Sequence, residues 1–450
     1  MKTKTILTIA AAILVMSFAS CTKERGLSNG SVEEGKATSM TVSITFPNNV
    51  TRATSDPNAT DNEAQINTVD VFIYTGTGAF SSCTSLTAAD FTSAGPAGDA
   101  DRYTAKAKIA TSTGEKTVFV GINLTTRIVT AVKNQPASTL AWVAQTMNCN
   151  EVANATASNF VMFSTPGVKS VFVEDQNNPA NSITVKCERL VAKVTVETDA
   201  AMVQAGFPGT MGALEFAVNN CNQKFFLVQS DPPYYQDPNW ATGSYNSADF
   251  NAVLGAYSPI LRRSVIPTPV LTDYTPQYAA ENTSEGKLKK EIGRVTVRTT
   301  FIPKEIYEYA NGVDNAAGYK LNDSHGVTTP TTFYAYTPSL TDGTFFFFDG
   351  NVMNHFKQDV YLNLGNSVTY SGGYCYWDIF LNKNPKNIVN RWDVLRNDYY
   401  KCNITRIVLP GRGTPGLIDP DVTPDVDTSI DVTVDVKFWH TPILSDYILE

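Results

Sequence analysis

Short runs in which apolar and polar residues alternate recur along the whole chain, and each predicts a strand with one buried face. Two of these runs stand near the ends of the chain, at residues 40–46 and 430–438. Their apolar positions are Met40, Val42, Ile44 and Phe46 in the first run and Ile430, Val432, Val434, Val436 and Phe438 in the second. Both runs are therefore predicted to be half-buried strands.

The first run is followed by a polar segment, residues 47–62, that is rich in Asn, Asp and Thr. This composition predicts an exposed loop that a protease can enter. Arg52 is the lone basic residue of this loop and is the candidate cleavage site. A strand excised in this way leaves a groove, which a strand from another chain can fill by β-augmentation. Residues 430–438 are the predicted donor.

Each of these assignments has an ordinary alternative. Arg52 is then an exposed loop arginine that nothing cuts, and residues 430–438 are the closing strand of their own domain. A Pro/Asp/Gly-rich arm at residues 411–429 precedes the second run and is longer than a closing hairpin needs. This length favours the donor role.

The rest of the chain predicts an all-β protein, because β-branched and aromatic runs alternate with turn residues. The main runs are residues 69–74, 116–122, 182–197, 213–218, 224–228, 294–298, 332–336, 374–381 and 399–407. A short helix is predicted at residues 139–146 and a long surface loop at residues 229–251. Tyr234, Tyr235 and Trp240 in that loop either contact glycans or host proteins or pack on their own domain.

The amino terminus has the pattern of an export signal. Lys2 and Lys4 precede an apolar run, residues 6–16, that is too short to span a bilayer. Residues 18–21 read Phe-Ala-Ser-Cys and are similar to a lipobox, which predicts acylation of Cys21 and attachment to the outer membrane through lipid. The alternative is ordinary signal cleavage beside an incidental cysteine.

Composition narrows the functional class. Charged residues make up 17% of the chain and the net charge is -8, which argues against nucleic-acid binding. The length accommodates two β domains. The predicted divisions are a signal peptide at 1–21, a propeptide at 22–52, β-sandwich domains at 53–188 and 189–410, and an arm with the donor strand at 411–450.

Residues that carry catalytic or metal chemistry form no recognisable motif. Besides Cys21, the cysteines are Cys83, Cys149, Cys187, Cys221, Cys375 and Cys402, and their wide spacing leaves disulfides and free thiols equally open. His325, His355 and His440 are far apart, and Asp419, Asp421, Asp425 and Asp427 lack the EF-hand pattern. We therefore predict that the chain is not an enzyme and that it binds no cofactor or metal.

Several of these landmarks occur in the order of a known family. They are the lipobox, the strand before Thr51-Arg52-Ala53, the strand at residues 69–74, the Leu190-Val191-Ala192-Lys193-Val194 segment, Val394-Leu395-Arg396-Asn397 with the strand to Ile407, and the terminal strand ending in Phe438-Trp439. In this order they resemble the fimbrillins, or type V pilins, of Bacteroidales-type anaerobes, most closely the minor or short-fimbria branch. The likeness extends over nearly the whole chain.

The resemblance implies two transthyretin-like β-sandwich domains and a cell-surface fimbria on the outer membrane. It implies export as a lipoprotein, cleavage after Arg52 by an Arg-specific surface protease, and removal of the first strand. Polymerisation then proceeds by exchange of a carboxyl-terminal strand within residues 430–450. The expected partners are other copies of the chain, related fimbrial subunits, that protease, and host or bacterial surface receptors. A shaft subunit is favoured, and a tip or accessory adhesin or a monomeric glycan-binding lipoprotein is the alternative.

Overall fold

The computed structural model describes residues 32–45, 61–93, 102–142, 144–146, 149–154, 156–164, 166–202, 207–229, 236–239, 250–251, 256–283, 288–312, 318–339, 341–381, 392–417, 419–424 and 430–438. Strands dominate these ranges. The strands of the first half are β1 (Ala37–Thr45), β2 (Thr68–Thr75), β3 (Phe80–Thr87), β4 (Phe91–Ser93), β5 (Arg102–Ala105), β6 (Ile109–Ser112), β7 (Gly114–Ile122), β8 (Ala144–Thr146), β9 (Ala153–Asn154), β10 (Asn159–Phe160), β11 (Met162–Ser164), β12 (Val168–Phe172) and β13 (Ser182–Arg189).

The second half is equally rich in strands. They are β14 (Val191–Thr198), β15 (Gly209–Met211), β16 (Glu215–Asn219), β17 (Cys221–Asn222), β18 (Lys224–Phe226), β19 (Phe250–Asn251), β20 (Ser258–Pro259), β21 (Leu261–Arg262), β22 (Gln277–Ala280), β23 (Arg294–Pro303), β24 (Ile306–Tyr309), β25 (Tyr319–Asn322), β26 (Phe333–Thr337), β27 (Phe345–Phe347), β28 (Asn366–Tyr370), β29 (Tyr374–Phe380), β30 (Asp398–Ile407) and β31 (Ile430–Phe438). The α-helices are α1 (Thr126–Lys133), α2 (Cys149–Val152) and α3 (Gly350–Tyr361), and a 3-10 helix spans Asp61–Ala64. The all-β prediction is confirmed.

The first large sheet lies in the amino-terminal half. Its strands follow the order β3-β2-β7-β11-β13-β1-β5-β4, with β12 beside β7 and β6 beside β1. Val69, Val71, Val118 and Val120 point into a buried apolar core behind this sheet. This core also takes Phe225, Leu227 and Val228 from beyond the predicted boundary at 188/189. The second half of the chain therefore contributes side chains to the core of the first half.

A second core lies between two further sheets in the carboxyl-terminal half. One sheet has the order β21-β14-β30-β31 with β22 beside β14, and the other has the order β15-β23-β16-β20 with β29 beside β23. Val194 and Cys402 from the first of these sheets and Val297 and Trp377 from the second face one another in the core. This arrangement is a β-sandwich. The split into two transthyretin-like domains at 188/189 stays a prediction, and the cores change between Val191 and Ala192.

A smaller aromatic cluster is inserted between β23 and β29. It is formed by strands β24 to β28 and the helix α3, which begins after the N-cap residue Asp349. Phe356 of this helix contacts the rings of Tyr307, Phe345 and Phe347 at centroid distances of 5.2, 5.3 and 5.3 Å. The insertion thus has an apolar centre of its own.

The prediction of a helix at residues 139–146 is wrong. A 3-10 helix covers Ala137–Trp142 instead, and Ala144–Thr146 forms strand β8. The reason is a tertiary contact, since Ala144–Thr146 pairs in antiparallel register with Lys224–Phe226. Pairing with a distant strand outweighs the local helical spacing.

Candidate functional site: the first strand and the terminal strand

The first strand, β1, is an interior strand of its sheet. On one side it runs parallel to β13, with Thr41 to Thr45 opposite Ser182 to Lys186. On the other side it is antiparallel to two strands: Ala37 to Met40 pair with β6, and Ser43 to Thr45 pair with β5. Removing β1 therefore leaves a slot with a hydrogen-bonding edge on each side.

One face of β1 is fully covered. Met40, Val42 and Ile44 have no exposed surface and belong to the first core. The opposite face is also sheltered in part, because Ser43 is 3% exposed and its hydroxyl lies 2.8 Å from the Thr104 hydroxyl. The sequence predicts a strand with one buried face, whereas the structure covers part of both faces.

On the side that β13 occupies, the start of β1 is held by a side chain, because the ladder with β13 begins only at Thr41. The buried Asn181 amide donates to the Ser39 carbonyl at 3.2 Å and to the Thr38 hydroxyl at 3.2 Å. Thr38 in turn donates to the carbonyl of Val173 at 2.8 Å. These bonds extend the attachment of β1 beyond the ladder with β13. The predicted strand, residues 40–46, omitted this first part.

The terminal strand β31 lies at the edge of its sheet, where it pairs only with β30 among the described strands. Ile430 is 4% exposed, and Val432 and Val434 are partly buried against the second core. Arg406 and Asp431 form an exposed ion pair at 2.5 Å near the start of the strand. The structure therefore places the predicted donor against its own chain, at a position from which it can leave without separating other strands.

Several predicted site residues lie outside the described residues. These are Cys21, Phe46, Arg52 and Ala53, and with them Asp425, Asp427 and His440. Val436 and Phe438 lie in β31, but their side chains are not described. The predicted lipidation, cleavage and exchange therefore stay predictions.

A buried ion cluster fastens the chain just after the predicted cleavage loop. Glu63 in the 3-10 helix Asp61–Ala64 accepts from the Lys193 ammonium at 2.9 Å and from the Tyr278 hydroxyl at 2.8 Å. Arg189 donates to the Glu63 carbonyl at 2.9 Å. Burial lowers the pKa of Lys193, while the Glu63 carboxylate opposes that shift. The cluster ties the start of the predicted mature chain to β13, β14 and β22.

Replacing Lys193 by methionine is expected to lower the free energy of unfolding by about 3–5 kcal/mol, because Glu63 loses its ammonium partner while buried. Lys193 and Glu63 are each 1% exposed, so solvent does not compensate. Urea unfolding of the purified chain measures the effect. The matched control is Arg406→Met, which breaks an exposed pair and should cost less than about 1 kcal/mol. Equal losses in the two variants would contradict the structural role given to the buried cluster.

The cysteine and histidine side chains of the described ranges are the remaining groups with potential chemical reactivity. Cys83, Cys187, Cys375 and Cys402 carry free thiols, so the open choice between disulfides and thiols is decided for these residues. Burial raises the pKa of Cys375 and Cys402 to about 12. His325 lies 2.9 Å from the carbonyl of Pro303, and His355 lies 2.5 Å from the Tyr309 hydroxyl.

Acidic residues of the predicted linker form no metal site in the part of the chain that the structure describes, where no group of three or more His, Cys, Asp or Glu side chains is arranged to hold a metal ion. Asp421 instead pairs with Lys290 at 2.5 Å. Within the same ranges, no helix is long and apolar enough to cross a membrane.

Comparison with known families identifies the chain through both ends of the fold. A family model described as the major fimbrial subunit protein FimA matches residues 39–203, which include β1 and the first sheet. A second model, described as the carboxyl-terminal region of fimbrillin, the major fimbrial subunit protein type IV, matches residues 368–442, which include β30 and β31. The chain belongs to the fimbrillins. The members of this family are fimbrial subunits, which assemble with other fimbrial subunits into cell-surface fimbriae.

Three solved structures that align with the chain come from Parabacteroides distasonis and Porphyromonas gingivalis. A putative cell adhesion protein from Parabacteroides distasonis aligns with 14% identity and a TM-score of 0.49, covering 92% of this fimbrillin and 99% of that chain. A fimbrilin from Porphyromonas gingivalis aligns with 15% identity and a TM-score of 0.45, covering 89% and 97%. The carboxyl-terminally truncated tip fimbrial protein Mfa3 of Porphyromonas gingivalis has 12% identity and a TM-score of 0.40, covering 89% and 100%. No curated protein sequence matches the chain.

Proposed function

We propose that this fimbrillin is a shaft subunit that is exported as a lipoprotein on Cys21, cut between Arg52 and Ala53, and polymerised by exchange of its terminal strand into the slot of β1. The observation that carries the proposal is the interior position of β1 between β13 on one side and β5 and β6 on the other. A vacated interior position exposes two rows of unpaired backbone groups.

The energetics favour refilling of this slot. Met40, Val42 and Ile44 are fully buried, and burial of three such side chains contributes about 5–9 kcal/mol before entropy costs. Each ladder hydrogen bond adds about 0.5–1.5 kcal/mol. A processed subunit without β1 therefore has a strong drive to accept another strand.

The terminal strand has the dimensions of the strand it would replace. β1 and β31 each span 9 residues, and both alternate apolar with polar positions. Because β31 is an edge strand, its departure leaves the pairing of β14 with β30 intact. The same segment therefore serves as a closing strand in the monomer and as the donor in the fibre.

The chain that follows the predicted cleavage loop is anchored to the rest of the subunit at Glu63. Glu63 follows the cleavage loop and is fixed in the buried cluster with Lys193 and Tyr278. Loss of residues before Ala53 therefore removes β1 and leaves the anchor at Glu63 in place.

The amino-terminal residue of assembled fibres tests the proposal. Sequencing of fibres sheared from the cell surface is expected to begin at Ala53, and gold-labelled antibodies should decorate the whole fibre length. Labelling confined to fibre ends would support the tip alternative. Surface material that begins at acylated Cys21 would support the monomeric lipoprotein and overturn the proposal.

A further inference from the structure

The outward face of the sheet formed by β16, β23 and β29 carries a row of charged and aromatic side chains. Arg298 of β23 lies opposite Glu215 of β16 and opposite Tyr376 of β29. Tyr376 in turn forms an isolated antiparallel bridge with Arg412. Since Val295 and Val297 of β23 point into the core, strand alternation places Arg298 on the outer face.

The Arg298 guanidinium is fixed in place by three neighbours. Its Nε donates to Glu215 Oε2 at 2.8 Å. Its central carbon lies 3.6 Å from the ring centroid of Tyr257 and 5.3 Å from that of Tyr374. Among the described residues, neither Nη atom has an acceptor, and the side chain is 27% exposed. Arg298 therefore presents an oriented pair of donors to the outside.

The row has more cations than anions. Arg294 and Arg412 both bind the single carboxylate of Asp378, and Arg298 is paired with Glu215. Three guanidinium groups thus face two carboxylates. Arg294 and Asp378 are 5% and 6% exposed, so their charges are weakly screened by water. The excess positive charge favours an anion at the unsatisfied donors of Arg298.

An aromatic surface adjoins these donors. Tyr374 is 37% exposed, and its ring stacks with that of Tyr376 at a centroid distance of 6.4 Å and an interplanar angle of 29°. The C–H-rich face of a sugar ring is apolar and covers such a surface well.

The Tyr257 hydroxyl is buried without a hydrogen-bond partner in the described ranges, an arrangement that costs free energy. Burial raises the pKa of Tyr257 to about 12, so this hydroxyl stays protonated.

We propose that Arg298, with Tyr257, Tyr374 and Tyr376, forms a binding site for a carboxylate-bearing saccharide. The two Nη donors of Arg298 match the two oxygens of a carboxylate, and a bidentate pair of this kind is both strong and directional. Tyr374 and Tyr376 carry the sugar ring. The site does not depend on polymerisation, although a fibre would repeat it and raise its avidity.

Titration calorimetry of the purified full chain with a galacturonic acid trisaccharide tests this site. The trisaccharide is expected to bind, and its methyl ester should bind at least about tenfold more weakly because the ester carries no charge. Arg298→Lys keeps the positive charge but loses the fork, and should weaken binding about tenfold or more. Arg262→Gln removes an exposed arginine elsewhere and should leave the affinity unchanged.

A second variant keeps the test decisive if Arg298→Lys fails to fold. Tyr374→Ala truncates an exposed ring, leaves the Arg298–Glu215 pair in place, and should weaken trisaccharide binding several-fold, with near-UV circular dichroism as the fold control. Equal affinities for the acid and its ester would overturn the site. So would acetate binding as tightly as the trisaccharide, or an oligoglutamate peptide binding where the trisaccharide does not.

Discussion

Replacing Arg52 by alanine is expected to abolish fibres while a folded, full-length precursor accumulates at the cell surface. In the uncut chain, β1 occupies its own slot and is covalently tethered to it. A donor strand from another subunit has to compete with this tethered strand, whose effective concentration is much higher. The precursor keeps Met40, Val42 and Ile44 in the first core, so its stability should not change. Electron microscopy counts the fibres, and an immunoblot gives the subunit mass.

Two further variants sharpen this result. Arg52→Lys should also prevent assembly if the protease is specific for arginine, whereas a general trypsin-like enzyme would still cut it. Arg262→Ala removes an exposed arginine in β21 and should leave fibres unchanged. Normal fibres from the Arg52→Ala strain would remove cleavage from the proposed function.

The sequence contained the local part of the fold but not its long-range part. Alternation alone indicated the inward face of β1 and the strand character of residues 430–438. The alternation does not indicate that β1 runs parallel to β13, because the paired residues Val42 and Ile183 are far apart in the sequence. The attachment of Thr38 by Asn181 depends on the same long-range contact. The order of strands is therefore the information that local patterns lack.

Two helices, α1 and α3, have local signals in the sequence that predict them, although the prediction above omits both. Thr125 caps α1 by accepting from the Ile128 amide, and Ile128 and Val132 have helical spacing. Asp349 caps α3, where Val352 and Phe356 show the same spacing. The predicted helix at residues 139–146 failed for the opposite reason, because its local spacing is overridden by strand pairing.

The buried cluster around Glu63 and the Arg298 site were also missed. Glu63 is a single acidic residue beside a polar loop, so no sequence pattern predicts its burial. Its burial follows from the tertiary contacts with Lys193 and Tyr278. Arg298 lies in an alternating strand, which indicates an outward side chain but not its tyrosine neighbours. Sites assembled from several strands are recognised once the register is known.

Truncation of the terminal strand is expected to produce a chain terminator. A processed subunit that lacks residues 430–450 keeps the slot of β1 and accepts a donor, but it has none to offer the next subunit. Co-expression at equal level with the intact subunit should shorten fibres to a few subunits, which electron microscopy measures. A truncated chain that does not fold alone would show that β31 is required by its own sandwich, and unchanged fibre length would contradict donor exchange.

A pair of point substitutions separates these roles without deleting the strand. Val434 is partly buried in the monomer, where it packs against the second core, and is proposed to be fully buried in a neighbour's slot. Val434→Asp should therefore prevent assembly, because the slot would have to bury an unpaired charge, while the edge position limits the loss of monomer stability. Thr433→Asp adds the same charge on the exposed face of β31 and should still give fibres. Equal assembly defects in the two variants, measured beside urea unfolding of each monomer, would show that β31 does not enter the slot with this face inward.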